Sequence, residues 1–74
     1  MSRTAHTKAY KTFLRRLCEA RKGRGLTQVA VAEHLGKHQS YVAKCENGAR
    51  RVDVVELAEF ARLYGKPLEY FLYK

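Results

Sequence analysis

The stretch GKHQSYVAKCENG, residues 36–48, gathers side chains able to do chemistry: Gln39, Ser40, Tyr41 and Lys44 supply an amide, two hydroxyls and an ammonium group. Only Val42 and Cys45 are apolar on what would be the buried side of a helix there. The chemistry open to the other side is hydrogen bonding rather than bond making. An amide sets a donor beside an acceptor, whereas an ammonium group only donates. No nucleophile elbow, P-loop or Gly-x-Gly-x-x-Gly pattern accompanies these residues. A chain of this size also has little room for a closed pocket, so catalysis is not expected.

Metal binding is the other chemistry to weigh, with Cys18, His34, His38 and Cys45 as the candidate ligands. None of their gaps has zinc-finger spacing, and His34 and His38 straddle a helix break at Gly36. No metal and no cofactor is expected. Cys45 reads as a small core residue and Cys18 as a partly exposed thiol. Two cysteines with no CxxC pair fit a reduced, cytoplasmic protein better than a disulfide scaffold. The first ten residues lack the apolar core of a secretory signal, and no run is long enough to span a membrane.

The net charge is +8, and its placement is uneven. Residues 1–51 hold twelve Lys and Arg against three Asp and Glu, whereas residues 52–74 hold three against four. A field concentrated in this way attracts phosphate polymers or anionic lipid. A membrane-surface binder would show its basic residues opposite a broad apolar stripe on a long helix. Here each apolar stripe is short and is needed for the core.

The elements that must hold residues 36–48 follow from periodicity. The 74 residues make one domain, and a domain so small buries only about 60% of its unfolded surface. Residues 1–9 have no apolar period and read as a flexible basic arm, leaving residues 10–74 as the folded domain. Tyr10, Phe13, Leu14 and Leu17 form the stripe of a first helix that ends near Gly23 and Gly25. Thr27 caps a second helix with Val31, Ala32 and Leu35 facing inward and Gly36 closing it. The polar stretch supplies the third helix, stopped by Asn47 and Gly48. Asp53 and Glu56 form a capping box for a fourth helix with Val54, Leu57, Ala61 and Tyr64 on its inner side. Pro67 opens a short last helix with Leu68, Phe71 and Leu72 on one face. The expected fold is all-α, a bundle of five short helices.

Three residues around Gly36 separate the second and third helices, and so short a link forces their axes to cross steeply. The stretch GLTQVAVAEHLGKHQSYVAKCENG, residues 25–48, resembles the signature of Cro/XRE-type helix-turn-helix repressors. Gly25, Leu26, Thr27, Gln28, Val31, Ala32, Leu35, Gly36, Val42, Glu46 and Gly48 stand in register with that family's pattern, and Arg21 occupies its usual basic position. Lys37 and His38 depart from it, where many relatives carry an apolar residue and a Ser or Thr cap.

The resemblance implies a phage-repressor-like DNA-binding domain. It implies that Glu46 pairs with Arg21, clamping the first helix to the third. Gln39, Ser40 and Lys44 then take the base-reading positions. A glutamine amide suits adenine N6 and N7, and a lysine suits guanine O6 and N7. Thr27, Gln28, Lys37, His38, Tyr41, Asn47, Arg50 and Arg51 become candidates for the backbone or grooves, with Tyr41 offering its ring to a sugar or thymine methyl, or its hydroxyl to a phosphate. Relatives usually bind two half-sites as dimers, so a homodimer on double-stranded DNA is expected. Phe60 and Phe71 suit core or interface equally, whereas Leu63, Tyr70 and Tyr73 are the interface candidates. Two alternatives stay open: a DNA-binding interaction module, such as a toxin's partner or a restriction-modification controller, and a sequence-tolerant nucleic-acid binder.

Overall fold

Three of the helices begin on a side chain that replaces a missing backbone partner. In a computed structural model that describes residues 7–72, α1 spans Lys8–Gly23, with Thr7 Oγ1 accepting from the Tyr10 amide at 3.1 Å. The helix therefore starts two residues ahead of the expected Tyr10, because a threonine cap lies inside the segment read as an arm; residues 1–6 of that arm fall outside the described residues. Helix α2 spans Gln28–Leu35 and is capped by Thr27, whose Oγ1 accepts from the Ala30 amide. Helix α3 spans Gln39–Asn47. Helix α4 spans Val54–Tyr64 behind the full Asp53–Glu56 capping box. Helix α5 spans Leu68–Leu72, directly after Pro67. Among the described residues there is no strand.

Two glycines set the motif's geometry. Gly36 adopts φ 68°, ψ 35°, a left-handed conformation that costs a residue with a Cβ roughly 1–2 kcal/mol. It reverses the chain so that the Lys37 amide bonds back to the Ala32 carbonyl at 2.8 Å, and only three residues, 36–38, separate α2 from α3. Gly48 ends α3 at φ 85°, and a Cβ there would stand 3.0 Å from Leu14 Cδ1 on α1. At that point the glycine provides both the conformation and the room.

Helices α2 and α3 pack on each other, and α1 lies against α3, α4 and α5. The core holds Phe13, Leu17, Val31, Ala32, Val42, Cys45, Leu57, Phe60, Ala61, Tyr64 and Phe71. Phe60 and Phe71, 1% and 0% exposed, are core residues. Val54 departs from its expected place: it is 70% exposed, and Phe60 takes the inner position instead. Val54 is the first residue of α4, at the rim of the bundle, while the stripe Leu57, Phe60, Ala61 and Tyr64 follows the side facing α1 and α3. Leu68 and Leu72 also lie outside the core.

Candidate nucleic-acid interface

Helix α3 divides as its residue types require. Val42 and Cys45 are fully buried, and Gln39, Ser40 and Lys44 are exposed. Nine residues make a cylinder about 13 Å long and 10–12 Å across with side chains, dimensions that match a B-DNA major groove about 12 Å wide. His38 precedes it in extended conformation but gives no side-chain cap, and the Tyr41 amide donates to the His38 carbonyl at 3.0 Å.

A line of hydrogen bonds runs from the core to this surface. Arg21 is 9% exposed and packs beneath Glu46, donating through Nε at 2.7 Å and Nη2 at 3.2 Å, while its Nη1 donates to the Leu26 carbonyl at 2.8 Å. Glu46 also accepts from Gln28 Nε2 at 3.0 Å, and Gln28 Oε1 accepts from Gln39 Nε2 at 2.7 Å. The order of donors is forced. An ionised carboxylate can only accept, so Gln28 must turn its NH2 toward Glu46. Its oxygen then faces Gln39, which must turn its own NH2 inward. Gln39 keeps its carbonyl oxygen and one N–H for another partner. That pair complements adenine, which offers a donor at N6 beside an acceptor at N7, and mismatches the two acceptors of guanine. The expected Arg21–Glu46 clamp is thus present, and it reaches further than expected. Gln28, a candidate for phosphate, has its amide engaged between Glu46 and Gln39.

Tyr41 stands one residue past Ser40 but turns inward. Its ring stacks on Phe60 at 6.2 Å and 9°, and Phe60 stacks on Tyr64 at 5.9 Å. The hydroxyl is enclosed beside the Cys45 thiol and has no oxygen or nitrogen partner. Burial pushes this phenol well above its ordinary pKa, and it pushes the Cys45 thiol up as well. A phosphate therefore cannot reach the hydroxyl in this arrangement. Instead the ring carries two cations: Lys37 Nζ lies 5.1 Å and Arg50 Cζ 4.9 Å from its centroid.

Arg50 is further held by Glu56. Its Nη1 and Nη2 donate to the two carboxylate oxygens at 2.8 Å each, and Nη1 also donates to the Arg51 carbonyl at 3.1 Å. The guanidinium holds the Glu56 carboxyl below the usual range, and the carboxylate raises Arg50 in turn. Glu56 was legible as a capping residue; its arginine partner six positions earlier carried no local signal. Arg51 lies over the Tyr10 ring at 5.6 Å, and the Tyr10 hydroxyl accepts from the Val52 amide at 3.1 Å. Asn47 Oδ1 accepts from the Ala49 amide at 2.8 Å, fixing the turn out of α3 and leaving its NH2 group outward. Thr27 spends its hydroxyl as the cap of α2. The exposed cations Lys37, Lys44, Arg50 and Arg51 lie on α3 or in the turns that enter and leave it.

The interface candidates are divided. Leu63 is half-buried beside His34, Leu35, Glu59 and Arg62 around a concavity of about 460 Å³. Tyr70 is also half-buried, with Arg16 Cζ at 5.1 Å and Lys66 Nζ at 4.7 Å from its ring, and its carbonyl accepts from Arg16 Nη1. Tyr73 lies outside the described residues. Among the described residues no group of three or more His, Cys, Asp or Glu side chains converges as a metal site would, and no helix is long and apolar enough to cross a membrane.

A family model described as a helix-turn-helix domain matches residues 12–69, from the first turns of α1 into α5. No curated protein and no solved structure gave a match. In domains of this kind the second helix of the motif is the one presented to DNA, and α3 occupies that place after the turn at Gly36. With 58 of its 74 residues matched, this chain belongs to the helix-turn-helix domain family, whose members bind DNA.

Proposed function

We propose that the protein is a sequence-specific regulator of the Cro/XRE type, a repressor that binds a palindromic operator as a homodimer and acts by occupying a promoter. The observation that carries this reading is the oriented amide of Gln39, fixed from the core through Arg21, Glu46 and Gln28. A surface built only to attract phosphate has no need of an acceptor and a donor held in fixed order. In this reading Gln39 and Lys44 read adenine and guanine edges, with Ser40 between them. Lys37, His38, Asn47, Arg50 and Arg51 contact the backbone, as do the amide groups at the start of α2 beside Thr27 and Gln28. The protein works inside the cell as a binding protein rather than an enzyme.

Selection of bound fragments from a random duplex pool at two salt concentrations tests this directly. Enrichment of a two-fold symmetric sequence containing adenine contacts is the expected result. A pool that remains random, with binding that simply fades as salt rises, would mark a sequence-tolerant binder and remove the reading.

A further inference from the structure

An apolar groove of about 480 Å³ lies between the start of α1, the loop that follows α3, the start of α4 and α5. Tyr10, Phe13, Leu57 and Phe71 line its interior. Val54, Leu68 and Leu72 rise at its rim, 70%, 40% and 61% exposed. Three large aliphatic side chains around one hollow exceed what a core of this size uses, and their exposure carries a cost in water.

Charge indicates what covers them. The chain carries +8, so two copies repel over most of their surfaces. The groove lining holds one cation, Arg51, and one anion, Asp53, and is neutral. It also presents knobs and a hollow within a single patch, as a two-fold contact requires when the same surface serves both partners. The Leu63 concavity also balances one cation, Arg62, against one anion, Glu59, but Leu35 and Leu63 are its only apolar lining, so it offers far less apolar surface than the groove. Tyr70 lies under Arg16 and Lys66, and covering it would bury two cations. The segment before Thr7, Met-Ser-Arg-Thr-Ala-His, offers a single large apolar side chain and fits the groove poorly.

We infer that this groove is where a second copy of the chain docks, with Val54, Leu68 and Leu72 of each protomer meeting the other, in place of the Leu63–Tyr70 surface. The inference rests on the homodimer reading above and gives that dimer its face. Arg51 and Val52 line the groove and also end the loop that leaves α3. Docking therefore fixes the loop that follows each reading helix, and pairing of the copies is coupled to the spacing of the two helices.

Sedimentation of the full chain without DNA, compared with Val54→Glu, Leu72→Glu and Leu63→Glu, tests the inference. Val54 and Leu72 are exposed, whereas Leu63 is half-buried against the core, so helical circular dichroism checks that each variant, Leu63→Glu above all, folds. A dimer that Val54→Glu and Leu72→Glu each weaken roughly tenfold or more, while Leu63→Glu leaves it intact, supports the groove. A dimer that survives both groove substitutions overturns the inference and leaves the homodimer reading standing. A wild-type chain that is monomeric both alone and on a duplex with two half-sites removes both. Binding to a single half-site separates these outcomes from loss of DNA binding: the groove variants should keep half-site affinity and lose only the gain from a second, correctly spaced half-site. If deletion of residues 1–6 leaves a monomer whose groove newly binds an apolar dye, the chain's own amino-terminal segment is the occupant and the inference falls.

Discussion

Arg21 with Glu46 and Arg50 with Glu56 are the same two side chains paired twice, each at hydrogen-bond distance, and each joins α3 or its exit to another helix. They differ in exposure. The side chains of the first pair are 11% and 7% exposed, and those of the second are 42% and 17%. Inside, neither charge has water to fall back on, so the pair is fixed and every remaining polar neighbour must conform to it. Gln28 and then Gln39 take their orientation from it. Outside, Arg50 can exchange carboxylate for water or phosphate at little loss. The inner pair therefore sets the order of donors on the reading face, and the outer pair adjusts how strongly the surrounding surface attracts any phosphate. One chemistry serves specificity in one place and affinity in the other because solvent access differs.

The largest expected effect comes from breaking the inner pair. Glu46→Ala leaves the Arg21 guanidinium buried and uncompensated, and should destabilise the fold by about 3–5 kcal/mol, read from urea denaturation. A loss below about 1 kcal/mol would mean that the pair behaves like a surface one. Next, Gln39→Ala should cost roughly 1–3 kcal/mol on the preferred duplex and relax the preference at one base pair. Gln28→Ala should relax the same base pair although Gln28 touches no base, because it frees the Gln39 amide to rotate. Equal losses on operator and random DNA would remove Gln39 as a reader.

The outer pair should respond differently. Glu56→Gln keeps an N3 cap for α4 but releases Arg50 and adds one positive charge. Affinity for every duplex should then rise, and the slope of affinity against salt should steepen by about one. Arg51→Ala should shift the slope by about one in the opposite direction, alike on all sequences. A fall in affinity for Glu56→Gln would show that the pair acts through folding alone. Its pH dependence has a defined sign. Arg50 lowers the Glu56 pKa on folding from its ordinary 4.5, so the stabilisation is present above about that pH and disappears as pH falls through the depressed value. Wild type and Glu56→Gln should therefore differ in stability at neutral pH and converge in strong acid.

The smallest effect should belong to Tyr41→Phe. Its hydroxyl is enclosed and unpartnered, so removal should leave DNA affinity unchanged and stability equal or higher by about 1 kcal/mol. A clear loss of affinity would mean that the ring turns outward when DNA binds.

Much of this comparison could be read along the chain, and its limits are physical. Caps and stops are local, so Thr27, Gly36, Asn47–Gly48 and the Asp53–Glu56 box were visible from residue types alone. The Arg21–Glu46 clamp came through resemblance to a family pattern and is present at 2.7 Å. Where α4 presents apolar residues on more than one side, periodicity could not choose between Val54 and Phe60. Packing against α1 and α3 made that choice. Tyr41 was assigned outward because its neighbours are polar, but a stack with Phe60 and Tyr64 draws it in.

The sequence by itself determined five helices, a tight turn at Gly36 and a helix with one wet side, because capping, backbone freedom and apolar period act over a few residues. Only the tertiary structure decided which way the polar groups on that helix point, which glutamates Arg21 and Arg50 hold, and that an apolar groove opens between α1, α4 and α5. Those outcomes depend on which groups meet across helices and which of them lose water when they do.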